Sequence, residues 1–124
     1  RFMIEKLGEL NVNSITIGPT DYSQKANVNN DKVISWLVSS VEQSGSPFIP
    51  NFEICEEIDF NKFNHGLDIC GKKINDNLSF QNIAIGPEGG WSQDELNKFS
   101  YTSSINEFTF RTETAAIVAV SLMI

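Results

Sequence analysis

The sequence has few of the residues that build metal centres or disulfide frameworks. It contains one histidine, His65, and two cysteines, Cys55 and Cys70, which lie fifteen positions apart and form no C-x-x-C pair. Metal sites need several such ligands at close spacing, so no metal site is expected. The simplest interpretation is a pair of buried, reduced thiols and a surface imidazole in the turn-like sequence Phe-Asn-His-Gly.

Positive charge and long apolar runs are also scarce. Lys and Arg number 9 against 16 Asp and Glu, the formal net charge is −7, and the two arginines are Arg1 and Arg111. Such a chain repels a phosphate backbone, so any grip on nucleic acid must come mostly from another segment or a partner. The longest apolar stretch, 115–124, is about half a membrane span, and the first residues do not resemble a signal peptide. We predict a cytoplasmic protein without a membrane anchor.

The 124 residues correspond to about one domain, and because the chain begins with an arginine in a helix-like segment, we interpret it as a piece of a longer protein. Helix-like and strand-like apolar patterns alternate along it, which predicts an α/β fold with a parallel sheet and helices on both faces. The predicted strands are 14–17, 52–54, 67–70, 82–85 and 105–110; the predicted helices are 1–10, a helix capped by Asn30 that ends near Gly45, a helix after Ser92 and a buried helix from Thr112 onward.

Three glycines, Gly86, Gly89 and Gly90, separate a predicted buried strand from a capping box formed by Ser92 and Glu95. Open α/β sheets bind ligands at this position, and glycines let backbone approach a ligand closely, although a simple tight turn explains the stretch equally well. There is no Gly-Lys-Ser/Thr for a phosphate loop and no G-x-G-x-x-G for a dinucleotide fold. The carboxylate within the loop, Glu88, favours a cationic or hydrogen-bond-donating ligand.

A second polar cluster stands at the entrance of the last predicted helix, in the sequence FRTETAAIVAV at 110–120. Thr112 is a plausible helix cap, and Glu113 suits the positive end of the helix dipole. Neither role explains Arg111, which needs a partner, a ligand or solvent.

Four segments together resemble one known family. IGPEGGWS at 85–92 and RTETAA at 111–116 are similar to the paired signature of the RsmE family, bacterial methyltransferases that modify N3 of a uridine in 16S ribosomal RNA. KLGELNV at 6–12 is similar to the family's Lys-x-x-Glu-Leu-Gly-Val, and EQSGSPFIP at 42–50 to its Glu-Gln-Ser-x-Arg-x-x-x-Pro segment. The resemblance runs across nearly the whole chain.

The resemblance implies a SPOUT-class α/β domain over 1–124 whose C-terminal part forms a trefoil knot, a rare exception to unthreaded topology. It also implies S-adenosylmethionine as the cofactor, a homodimer with the active site near the partner subunit, and small-subunit ribosomal RNA as the substrate. Family members carry an N-terminal PUA-like β-barrel that helps to bind RNA, and this barrel is absent from residues 1–124.

Transferred residue by residue, the resemblance predicts a cofactor pocket built from three segments and a catalytic group of three charged side chains. In this group, Glu88 offsets the sulfonium charge or binds a ribose hydroxyl, Arg111 faces the uracil or a phosphate, and Glu113 orients Arg111 through a charge-assisted pair. For this pocket to exist, the bend after Ile85 must meet the start of the last helix. The pocket residues are Ile69, Cys70 and Gly71; Ile85, Gly86, Pro87, Glu88, Gly89 and Gly90; and Ile105, Asn106, Phe110 and Arg111.

The implied reaction is methyl transfer to uridine N3, which is protonated at neutral pH and therefore needs a base or an environment that favours its anion. The sequence does not identify the base. The chain departs from the family pattern at Ile105-Asn106, where Leu-Gly is usual, and at Ser46, where arginine is usual. Two alternatives therefore stay open: a SPOUT methyltransferase with another RNA target, and a non-catalytic dimerisation or RNA-assembly module.

Overall fold

The computed structural model describes residues 1–23, 28–73, 82–105 and 111–123, with the backbone alone at Ile69, Lys72, Lys73 and Met123. It has a mixed α/β architecture with parallel strands, as the sequence predicted. The helices are α1 (Phe2–Glu9), α2 (Asn30–Ser44), α3 (Gln93–Lys98) and α4 (Thr112–Met123), and the strands are β1 (Ser14–Ile17), β2 (Asn51–Ile54), β3 (His65–Lys73) and β4 (Tyr101–Ser104).

Strands β1 and β2 pair in parallel, and α2 forms the crossover between them. The cap of α2 is Asn29 rather than the predicted Asn30, since the Asn29 side chain accepts a hydrogen bond from the Lys32 amide at 3.2 Å. The helix ends at Gly45, whose φ of 72° lies in the left-handed region that favours glycine.

The core beside this ladder forms where α1 crosses α2. Ile4, Val33 and Leu37 are buried there, and half-buried side chains of both strands pack against them. The helices approach closely at Gly8, where an added Cβ would lie 2.5 Å from Ser40 Oγ. The Ser40 hydroxyl donates to the Glu5 carbonyl at 2.6 Å, so the crossing joins the two helices by a polar contact as well as an apolar one.

Strand β3 lies between two parallel neighbours. On one side it pairs with β4; on the other it meets Ala84, which donates to His65 O at 2.8 Å and accepts from Leu67 N at 2.9 Å. The predicted strand 82–85 is therefore reduced to a single bridge at Ala84. Because all of these segments run in the same direction, their carboxyl ends meet at one edge.

Strand β4 is Tyr101–Ser104, and Ile105, the first residue of the strand predicted at 105–110, follows it; the rest of that prediction, 106–110, lies outside the described residues. The residues that β4 buries are Ser103 and Ser104, so no apolar alternation marks it. The glycine at position 71 lets β3 lie very close to β4, because a Cβ added there would lie 2.7 Å from Ser103 N.

Two expectations about isolated side chains were wrong. His65 is buried in β3 rather than at the surface, and its Nε2 lies 2.6 Å from Ser103 Oγ. Cys70 is exposed and Cys55 half-buried, although both are free thiols as expected. Turn-like neighbours and average burial preferences did not anticipate these positions, since strand pairing decided them.

Helix α4 contacts α1 and is less enclosed than its apolar sequence suggested. Ala116 and Ala119 are buried, whereas Val118 is half-buried and Leu122 is 51% exposed. The expectation of burial on most sides was therefore wrong for the described part of this helix. None of the described helices has the length and apolarity that a membrane crossing requires.

The buried imidazole predicts a pH dependence of stability. Burial lowers the pKa of His65 below its ordinary value of 6.5. As the pH falls through about 6.5, the unfolded state takes up a proton before the folded state does, so the free energy of unfolding falls by at most about 1.4 kcal/mol per pH unit from this group.

We expect His65→Gln to reduce the difference in the free energy of unfolding between pH 7.5 and pH 5.5, as measured by urea denaturation at both values. A substitution at an exposed site, Lys32→Gln, is the control and should keep the wild-type difference. If the His65→Gln protein kept it as well, the imidazole would not titrate differently in the two states.

Candidate active site

The predicted cofactor segments share one edge of the structure. Ile69, Cys70 and Gly71 lie in the carboxyl-terminal half of β3, the bend 85–90 follows Ala84, and Ile105 follows β4. In open α/β sheets this edge is where ligands bind, because loops leaving parallel strands surround a crevice there. The strand order explains why segments far apart in sequence become neighbours.

The bend itself is a tight turn closed by its own backbone. Gly90 N donates to Pro87 O at 2.8 Å, and Gly90 has a φ of 78°, which is unfavourable for side chains that carry a Cβ. Immediately after it, Ser92 caps α3, and Glu95 completes the predicted capping box. Together these bonds determine where the chain leaves the bend.

Two of the three glycines in the bend make room for side chains of the same chain rather than leaving backbone open to a ligand. A Cβ added at Gly86 would lie 3.0 Å from the Trp91 ring, and one added at Gly89 would lie 3.1 Å from Tyr22 Cβ. Of the three glycines in the bend, only Gly90 has open space where a Cβ would be added. Gly86 and Gly89 therefore lack a Cβ because side chains of the same chain, Trp91 and Tyr22, pack directly against them.

Trp91 continues the hydrogen bonding of β3 where the neighbouring strand ends. Its indole N–H donates to Leu67 O at 2.9 Å, the carbonyl that follows the Ala84 bridge. Its ring is buried and meets Phe99 edge-on at 4.9 Å between centroids. Phe99 in turn lies against Gly66, where an added Cβ would be 2.6 Å from the ring. The bend is therefore attached to the middle of β3.

A hydrogen bond joins the bend to the last helix. The Thr112 hydroxyl donates to Gly86 O at 3.1 Å, so the two sequence motifs are in direct contact, as predicted. Thr112 is the first residue of α4, and the bond that its hydroxyl makes is this tertiary one rather than the expected cap. The first helical bond runs from Ala115 N to Arg111 O at 2.9 Å, which makes Arg111 the residue before the helix.

The charged side chains of the site differ in exposure. Glu88 and Arg111 are exposed, and Glu113 is half-buried in the first turn of α4, where its charge suits the helix dipole. The expected ion pair between Arg111 and Glu113 is not formed; the salt bridges of the described residues are in α1. Because the Arg111 side chain is exposed to solvent, its charge needs no buried partner at the start of this apolar helix.

The backbone of the bend offers polar groups to a ligand. Ile85, Glu88 and Gly89 make no main-chain hydrogen bond with another described residue. Amides and carbonyls without a partner among the described residues, beside a half-buried isoleucine, suit an adenosyl group, which has a flat apolar face and a polar rim. Of the other predicted pocket residues, Ile105 is half-buried, whereas Asn106 and Phe110 lie outside the described residues.

Sequence reasoning missed two aromatic residues, Trp91 and Tyr22. Trp91 carries a recognisable signal, since a tryptophan directly after a glycine pair needs both an apolar pocket and an acceptor for its N–H. Tyr22 carries none, because its contact with Gly89 joins positions that are far apart in the chain.

Comparisons with known proteins concern the family and the fold. The family model described as RNA methyltransferase domain matches residues 1–124. A candidate methyltransferase from Legionella pneumophila, solved with the bound cofactor SAM, is 26% identical with a TM-score of 0.79, over 98% of this chain and 58% of that one. A predicted RNA methyltransferase from Thermotoga maritima is 28% identical with a TM-score of 0.75, over 98% and 56%.

A third similar structure is ribosomal RNA small subunit methyltransferase E from Neisseria gonorrhoeae, bound to S-adenosyl methionine. It is 24% identical, with a TM-score of 0.76, over 98% of this chain and 58% of that one, a likeness of fold. The chain thus spans less than two thirds of these solved chains. Among curated protein sequences, none matches significantly.

The role of Trp91 predicts a specific stability loss. Trp91→Phe keeps most of the ring but leaves Leu67 O without its donor, which we expect to cost about 1–3 kcal/mol in the free energy of unfolding. Trp36→Phe is the matched control, since Trp36 packs against the α1–α2 core and its indole makes no hydrogen bond with a described residue. Equal losses in both variants by urea denaturation would contradict a special role for the bond.

Proposed function

The chain belongs to the RNA methyltransferase domain family, and from that premise we propose that it is an S-adenosylmethionine-dependent methyltransferase acting on N3 of a uridine in 16S ribosomal RNA. Two kinds of similarity support the proposal. The related Legionella structure contains bound SAM, and the Neisseria structure of similar fold is a ribosomal RNA small subunit methyltransferase E. The signature segments 85–92 and 111–116 support the finer choice of target.

The observation that carries the proposal is the hydrogen bond between Thr112 Oγ1 and Gly86 O at 3.1 Å. It brings the glycine bend, which carries Glu88, to the start of α4, which Arg111 precedes. In the proposed complex, backbone groups of 85–90 and the end of β3 hold the adenosyl group. S-adenosylmethionine supplies the methyl group from a positively charged sulfonium, and Glu88 offsets that charge.

Arg111 is proposed to meet the uracil or its phosphate. The exposed guanidinium precedes the α4 helix, whose amino end adds further positive potential. Both favour the negative charge that develops on the uracil when the N3 proton leaves. Positioning supplies much of the remaining rate acceleration, because it replaces a bimolecular encounter by a held pair of reactants.

Most of the proposed affinity for RNA comes from a part of the protein outside these residues. A net charge of −7 opposes contact with phosphates, so we propose that an N-terminal PUA-like domain provides most of the affinity for ribosomal RNA. The protein would then act in the cytoplasm during ribosome biogenesis. We also propose that the C-terminal part of the chain forms the trefoil knot that the family resemblance implies.

The Ser46 departure from the family pattern has a local structural explanation. Its hydroxyl hydrogen-bonds to the Asn11 side chain and lies 3.1 Å from Phe48 O. A half-buried serine that closes the turn after α2 removes a possible arginine contact with RNA, and it lies outside the bend and α4. This observation favours altered RNA contact, and hence another RNA target, over loss of cofactor binding.

The first prediction from the proposed function concerns the Thr112 hydrogen bond. We expect the full-length protein to bind S-adenosylmethionine, and Thr112→Val to weaken this binding about 3- to 10-fold because the helix is no longer bonded to the bend. Thr112→Ser keeps the hydroxyl and should bind within about twofold of wild type. Isothermal titration calorimetry with S-adenosylmethionine and S-adenosylhomocysteine measures both.

Failure of the folded wild-type protein to bind either compound would favour the non-catalytic alternative. The target is tested separately by mass mapping of 16S ribosomal RNA from a strain that lacks the gene. Loss of a methyl group from one uridine is expected. If S-adenosylmethionine binds normally and the methylation of 16S uridines is unchanged in that strain, the 16S target is contradicted and the alternative with another RNA target is favoured.

We also propose a homodimer, supported by the half-buried and exposed apolar side chains of α4. Ile117, Val118 and Leu122 leave apolar surface open, which monomeric proteins usually cover. We expect sedimentation equilibrium to give twice the monomer mass, and Leu122→Glu to shift the equilibrium toward monomer. A wild-type monomer at micromolar concentration would contradict the dimer.

A further inference from the structure

Tyr22 is an exposed aromatic residue at the rim of the candidate site. Its side chain is 57% exposed, and a Cβ added at Gly89 would lie 3.1 Å from Tyr22 Cβ. The loop after β1 therefore touches the bend at the residue next to Glu88. Neither the cofactor segments nor the proposed catalytic group includes this tyrosine.

The loop that carries Tyr22 is held in position immediately before the ring. Asp21 N donates to Glu95 Oε2 at 3.2 Å, and the Ser92 hydroxyl donates to the Asp21 carboxylate. Glu95 is 5% exposed, so this attachment is mostly shielded from water. The capping box of α3 thus fixes the backbone of the loop as well as the helix.

The turn around Tyr22 is closed on its other side as well. Ser23 N donates to Thr20 O at 3.3 Å, and Thr20 N donates to Ser23 Oγ at 3.0 Å. The backbone of 20–23 is therefore bonded at both ends, while the ring between them faces solvent. A preorganised aromatic face loses little conformational entropy when it binds a partner.

Two sides of the bend now have defined neighbours. Gly89 meets Tyr22, and Gly86 is bonded to Thr112, the residue after Arg111. The exposed residues Tyr22, Glu88 and Arg111 consequently lie on or beside one short segment, 86–90: Glu88 is within it, Tyr22 meets Gly89, and Arg111 directly precedes the Thr112 that bonds to Gly86. An aromatic ring, a carboxylate and a guanidinium around a backbone bend suit a nucleoside better than a purely apolar or purely charged ligand.

We propose that Tyr22 is a specificity-determining residue that stacks on a nucleobase of the RNA substrate beside the methylated uridine. This inference rests on the proposed methyltransferase function and adds a base-binding site to it. Single-stranded RNA is recognised largely by bases that stack on aromatic side chains. Stacking needs no positive charge, so it provides affinity that a surface with a net charge of −7 cannot obtain from phosphates.

The test measures RNA binding and cofactor binding in parallel on the full-length protein. The probe is a uridine-containing single-stranded RNA of about ten nucleotides, with 2-aminopurine next to the uridine, whose fluorescence falls when the base stacks. We expect Tyr22→Ala to weaken RNA binding roughly 5- to 100-fold and to abolish the quenching, with unchanged affinity for S-adenosylmethionine. Tyr22→Phe retains an aromatic face and should stay within about twofold of wild type.

Tyr101→Ala is the matched control, because Tyr101 is 66% exposed but begins β4, at the opposite end of the strands from the bend. It should not change RNA affinity or quenching. If wild type binds the cofactor and the RNA but Tyr22→Ala matches it in both, the stacking role is overturned and the methyltransferase function stands. If Tyr22→Ala instead converts a dimer to monomer by sedimentation, the ring is a subunit contact. Absence of cofactor binding in wild type would refute the underlying function.

Discussion

The candidate site depends on the central position of β3 between two parallel neighbours. Strand β3 pairs with β4 on one side and with Ala84 on the other. The loops that follow β3, β4 and Ala84 therefore leave the structure at the same edge. The hydrogen bonds of β3 do not stop at the bridge, because Trp91 takes the next carbonyl. A parallel ladder thus attaches the bend to the strand whose own carboxyl end forms another part of the site.

The polar attachments around the bend form one connected set. Thr112 bonds to Gly86, Trp91 bonds to β3, and the capping box of α3 bonds to the loop that carries Tyr22. Each attachment uses a group that would otherwise be an unsatisfied donor or acceptor in a partly buried place. The exposed charged residues are therefore carried by a backbone that is restrained on several sides, which is what a site for a polar, weakly held substrate requires.

Charge explains how the two proposals fit together. The sequence has a formal net charge of −7, and Arg111 is an exposed cation directly before α4. Phosphate attraction is correspondingly small, so recognition by this domain is proposed to rely on the chemistry of a base: stacking on Tyr22 and charge stabilisation by Arg111. In the proposed function, the salt-dependent part of the affinity comes from a separate N-terminal domain, so residues 1–124 can remain acidic.

The sequence by itself determined most of the local structure, and its family resemblance predicted that the two motifs would meet. Apolar periodicity located α1, α2, β1 and β2, and glycine with Ser92 and Glu95 located the bend and the cap of α3, since these signals depend on neighbouring residues. Only the tertiary structure decided β4, whose buried face is serine, and the burial of His65. It also decided that Gly86 and Gly89 admit Trp91 and Tyr22 and that Thr112 bonds across to Gly86. These are contacts between distant parts of the chain, and local periodicity contains no information about such partners.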